Sequence, residues 1–89
     1  MRDSDRFERM PKNPYWHDKG GHYEVCLGET RYLDQGGHHT RTPLWIRDKR
    51  TGKTVKRIGD GHQMGNWHPV WINWKGKKIQ VEKLLDQGA

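Results

Sequence analysis

Eighty-nine residues with 17 Lys or Arg, 11 Asp or Glu and a net charge of +6 leave room for one small domain with a modest core and exclude a second. A single cysteine, Cys26, excludes an intramolecular disulfide framework and favours a reducing compartment. No apolar run has the form of a signal peptide or the length of a membrane span, so the expectation is a cytoplasmic protein without a membrane partner.

Residues 1–13 open with MRDSDRFERMPK, a mixed-charge stretch expected to be a flexible arm ahead of one β domain over residues 14–89. A short helix with Phe7 and Met10 on one face is the alternative for this arm. In GHYEVCLG, Tyr23, Val25 and Leu27 alternate with His22, Glu24 and Cys26, the period of a strand with one buried and one polar face. The segment PLWIRDKRTGKTVKRIG reads as a hairpin turning at Arg50-Thr51-Gly52, where Gly52 supplies a positive φ. Pairing Lys49 with Lys53 sets Leu44 opposite Ile58 on an apolar face, and Trp45 opposite Arg57 and Arg47 opposite Val55 on the other.

The next hairpin, HPVWINWKGKKIQVEKLL, turns at Lys75-Gly76 and sets Trp74 against Lys77, Ile72 against Ile79 and Val70 against Val81. Its other face pairs Trp71 with Gln80 and Asn73 with Lys78, and Val81 to Gln87 close with one helical turn. About five short strands with glycine turns and one apolar layer predict an all-β fold, a small SH3-like or OB-like barrel; a three- or four-stranded open sheet is the alternative.

Two families share parts of this pattern. The stretch Tyr15-Trp16-His17-Asp18-Lys19-Gly20-Gly21-His22-Tyr23-Glu24-Val25 resembles the start of the small bacterial domain of unknown function 1653, which implies an SH3-type barrel and no particular activity. Tyr23-Glu24-Val25, Gly28, Arg31, the strand Val70 to Trp74, Lys75-Gly76-Lys77 and Val81 to Leu85 run in an order similar to the NUMOD-type DNA-binding segment beside HNH nuclease domains. That resemblance implies DNA binding without cleavage, since the HNH part is absent.

Charge is gathered in one region: residues 41–78 hold ten Lys or Arg against Asp48 and Asp60, and four of the five Trp lie there. Cations interleaved with flat aromatics suit a polyanion with stackable bases. The expected nucleic-acid-binding residues are Arg41, Trp45, Arg47, Arg50, Lys53, Lys56, Arg57, Trp67, Trp71, Lys75, Lys77 and Lys78. The surface is expected to span both hairpins with the loop from Asp60 to His68 between them, and to bind DNA or RNA by phosphate contacts and Trp stacking. Trp16 and Trp74 read as structural, Trp16 capping an open end of the barrel.

Three other readings draw on this chain. An inhibitor or adaptor, phage-encoded or carried by a mobile element, would dock this surface on an acidic protein. A metal-dependent nuclease fragment would draw on His38, His39, Asp60, His62, Asn66 and His68, but the ligand set and supporting helix such chemistry needs are not evident. His22 with Cys26 and the loop histidines match no zinc spacing, so no metal, cofactor or catalytic residue is expected.

Overall fold

The computed structural model describes residues 9–32, 39–62 and 69–88, and the fold it shows is an antiparallel sheet with one short helix. Seven strands follow in chain order: β1 (Trp16–His17), β2 (Tyr23–Leu27), β3 (Arg31–Tyr32), β4 (His39–Asp48), β5 (Thr54–His62), β6 (Trp71–Trp74) and β7 (Lys77–Gln80). The helix, α1 (Val81–Asp86), follows β7 directly. The sheet runs β1-β2-β4-β5-β6-β7, with β3 pairing with β4 beside β2.

The all-β expectation holds, but the sheet does not close. Its edges are β1 and β7, and α1 packs on β2 and β7 across the gap between them. The helix has the local signals it needs: Val81, Leu84 and Leu85 fall at i, i+3 and i+4 on one buried face, with Glu82 in the first turn and Lys83 in the last. Its end is fastened by the His22 amide, which donates to the Gln87 carbonyl at 2.9 Å, and by the Lys19–Asp86 ion pair at 3.5 Å.

Inside the curl lie Tyr23, Val25, Leu44, Ile46, Ile72, Val81, Leu84 and Leu85. Trp74 reaches Tyr23 edge to face, with centroids 5.4 Å apart, although β4 and β5 separate their strands in the sheet. The sheet is therefore strongly curled. Pairing between β5 and β6 is limited to Asp60 with Trp71, after which β6 swings over the inner face. Gly59 leaves the space for this, since a Cβ there would overlap Val70.

Pro43 explains why two short strands, and not one, flank β4. The Gly28 amide donates to the Pro43 carbonyl at 2.8 Å, but proline has no N–H to return the bond. Pairing stops after Leu27 and resumes at Arg31, with the Thr30 and Thr42 hydroxyls joined at 2.8 Å across the break.

The β6–β7 register is the one predicted, and Lys75 and Gly76 both take positive φ, 50° and 82°, as a two-residue hairpin loop requires. The β4–β5 register differs by one residue: Arg47 pairs with Thr54, Ile46 with Val55, Trp45 with Lys56 and Leu44 with Arg57. The cause is Asp48. Its carboxylate accepts the Arg50 amide at 2.9 Å and its carbonyl accepts the Gly52 amide at 2.7 Å, which builds a four-residue loop, Lys49 to Gly52. The slip places Ile58 on the outer face and Arg57 on the inner one.

Gly21 sits where α1 seals the sheet, and a Cβ there would overlap the backbone oxygens of Leu85 and Gln87. Gly21→Ala is expected to destabilise the fold by about 1 to 3 kcal/mol, read as a lower urea midpoint at unchanged m-value.

Candidate nucleic-acid interface

Strands β4 and β6 both run antiparallel to β5, so the turns that follow them lie at the same end of the sheet. Between these two tips is a cleft of about 320 Å³. Its apolar lining is Tyr23, Ile46, Val55 and Trp74, with Asp48, Arg50, Thr51 and Lys53 from one tip and Lys75 from the other; the Asp48 carboxylate is engaged by Arg50. Asp60 to His62, expected in a loop between the hairpins, are instead the last residues of β5, at the end opposite these tips, and the rest of that loop, 63–68, lies outside the described residues.

The β4–β5 tip is docked on the sheet by its cations. Arg50 donates to both Asp48 carboxylate oxygens at 3.1 Å and to the Tyr23 hydroxyl at 3.4 Å, and its guanidinium lies 5.7 Å from the Tyr23 ring centroid. The Lys49 amide donates to the His22 carbonyl at 2.9 Å, and the Lys49 ammonium pairs with Asp18 at 2.8 Å. Hydrogen bonds from Arg50 hold the Asp48 carboxyl below its ordinary value of 3.8, and the Lys49 ammonium does the same for Asp18.

Among the described residues, Lys53, Lys75, Lys77 and Lys78 are exposed and form no ion pair. Arg57 does not line the cleft; its guanidinium lies over the Trp74 ring, 5.8 Å from the centroid, and donates to the Lys56 carbonyl at 3.0 Å.

The other expected contacts lie on the outer face of the sheet. Trp16, Cys26, Trp45 and Lys56 form one row across β1, β2, β4 and β5, and Glu24, Arg47 and Thr54 form the next. Arg47 pairs with Glu24 and covers the Trp16 ring at 4.1 Å, so Trp16 is a platform for Arg47 and not a cap on a barrel end. Trp45, expected to be open for stacking, is only 8% exposed and its ring lies against Gly28. Arg41 is exposed and aligned with Arg31 and Asp60; Trp71 is half-buried between Asp60 and Gln80, and Lys78 faces Asn73. Trp67 lies outside the described residues.

The expected set is thus divided. Arg50, Lys53 and Lys75 gather at the cleft, Lys77 stands opposite Trp74 on the β6–β7 hairpin, and Arg41, Trp45, Arg47, Lys56, Trp71 and Lys78 lie on the outer face. Sequence reasoning missed Tyr23 and Trp74 as cleft walls, having assigned both to structure. Only their shared inner face and the adjacent cationic tips could have signalled it.

Cys26 is buried, and burial pushes its thiol up while the Tyr15 backbone hydrogen bond opposes this. Among the described residues no three of His, Cys, Asp or Glu are grouped as metal ligands require. His38, Asn66 and His68 of the nuclease reading lie outside the described residues, and Asp60 stands opposite Arg41 and Trp71. No described helix is long and apolar enough to cross a membrane.

No family model, curated protein or solved structure matches this chain.

Two expectations follow. Trp45→Ala should cost about 3 to 5 kcal/mol of stability in urea unfolding, as a buried aromatic does, instead of acting on binding alone. The depressed Asp48 carboxyl means that the unfolded chain binds more protons at acid pH. The stability it contributes is fully present at neutral pH and is lost as pH falls through 3.8 towards the folded value. Asp48→Asn should flatten that acid limb in urea titrations run from neutral pH to about pH 2.

Proposed function

We propose that the protein binds nucleic acid, DNA or RNA, as a non-catalytic module, with the lysines of the two hairpin tips as its phosphate contacts. One observation carries this reading. Nearby carboxylates engage Arg47, Lys49 and Arg50, whereas Lys53, Lys75, Lys77 and Lys78 on adjacent tips have no ion pair among the described residues. Cations left without partners on a small protein attract a polyanion and release its counterions on binding.

The resemblance of Tyr23-Glu24-Val25, Lys75-Gly76-Lys77 and Val81 to Leu85 to the NUMOD-type DNA-binding segment points to the same reading; these residues fall in β2, the β6–β7 hairpin and α1. A curled sheet sealed by a helix is in keeping with an open relative of the SH3-like or OB-like barrels, folds that often present one concave side to a ligand.

The test is a fluorescence anisotropy titration with labelled single-stranded DNA, duplex DNA and RNA at two or more salt concentrations. Saturable binding that weakens with salt is expected. Neutralising one lysine on each tip, Lys53→Gln with Lys77→Gln, should lower the slope of log K against log salt by about 1.4 to 1.8. No binding to any of the three at low salt refutes the proposal, and a stoichiometric protein partner that survives nuclease treatment would then establish the acidic-protein alternative.

A further inference from the structure

We infer that the cleft between the hairpin tips receives one unpaired base, so that the preferred ligand is single-stranded. This rests on the nucleic-acid reading and names the ligand class of the same site. The cleft volume, about 320 Å³, stands at the low end of ligand pockets, which run from about 300 to 1,000 Å³ and bury most of what they hold. A single planar ring with its sugar suits that size.

Its walls are suited to a ring. Trp74 is half-buried, and Tyr23 meets it edge to face at 81°, which fixes the plane of the indole before any ligand arrives. The indole Nε1 is itself buried, so the part of the ring left at the cleft is carbon. Val55 and Ile46 complete an apolar floor. With its one polar atom buried, the indole has no hydrogen bond with which to read a base, and contact of that kind tolerates any base.

Charge supplies the second condition. Lys53 stands on one side of the cleft and Lys75 on the other, with Lys77 paired opposite Trp74 on the same hairpin as Lys75, all exposed and without an ion pair among the described residues. A polynucleotide carries a phosphate on each side of every base, which matches an aromatic slot between two cationic rims. A duplex matches poorly, since its bases are paired and stacked while the cleft floor lies between two projecting turns. An acidic peptide provides the charge but no flat ring set between anions. On the outer face Trp45 is 8% exposed, Arg47 covers Trp16, and Trp71 stands between Asp60, a carboxylate, and Gln80.

The experiment uses the full chain and four labelled probes: an oligothymidylate about a dozen nucleotides long, an abasic strand of the same phosphate count, a duplex of equal length, and an acidic peptide containing one Trp. The base-bearing strand is expected to bind about tenfold more tightly than the abasic one, and more tightly than the duplex. Trp74→Leu, checked for folding by circular dichroism, should remove most of that difference. The abasic comparison needs no variant and stands even if Trp74→Leu does not fold.

Equal binding of base-bearing and abasic strands, with the usual salt dependence, overturns the base pocket and leaves the phosphate reading intact. Tighter binding of the duplex also overturns it. Tighter binding of an acidic peptide containing one Trp assigns the cleft to a protein ligand and overturns it as well. Failure of all three nucleic-acid probes at low salt refutes the nucleic-acid reading itself.

Discussion

The inner face of this sheet has to be covered, and the strands cannot do it alone. Tyr23, Val25, Leu44, Ile46 and Ile72 line a curl whose edge strands never meet, and three residues of one short helix, Val81, Leu84 and Leu85, fill what remains open. Most of the driving force for the fold comes from removing this apolar surface from water. The helix is too short to be stable by itself, so its docking on β2, secured by the His22–Gln87 backbone bond, holds helix and sheet together as one unit.

The same curl creates the cleft. Because β6 turns inward after one paired residue, its tip arrives beside the β4–β5 tip, and Trp74 comes against Tyr23. The core and the candidate site therefore share side chains: Tyr23 and Ile46 are packed in the interior and also form the floor at its open end. Such a site is preorganised, since its walls are positioned by the packing that stabilises the fold. Electrostatics sort the cations around it. Asp18, Glu24 and Asp48 each take one partner, which fixes Lys49, Arg47 and Arg50 in the architecture and leaves the tip lysines to solvent.

The legible parts of this fold were those specified within a few residues. The β6–β7 hairpin could be read in full because the Lys75-Gly76 turn and the alternation of Trp71 to Trp74 demand the same register. The strand at Tyr23 and the helix at Val81 were equally local. At the β4–β5 hairpin, Gly52 was correctly placed in the turn, but the Asp48 side chain lengthened the loop and shifted every pair by one. The two-residue strands β1 and β3 carry no periodicity of their own and exist through their partners on β2 and β4.

For the candidate site, residue type and neighbourhood in the chain were enough to mark residues 41–78 as a cationic and aromatic surface. They were not enough to say which Trp is exposed or which cation is paired. Trp45 is buried by the row it joins on the outer face, and Arg47 is engaged by Glu24 from a strand more than twenty residues earlier. By itself the sequence determined the Tyr23 strand, the Lys75-Gly76 hairpin, the helix at Val81 and the location of charge, because each depends on neighbouring residues. Only the tertiary structure decided the open, helix-sealed sheet, the cleft between the tips and the division of its cations. Those depend on burial and ion pairing between segments far apart in the chain.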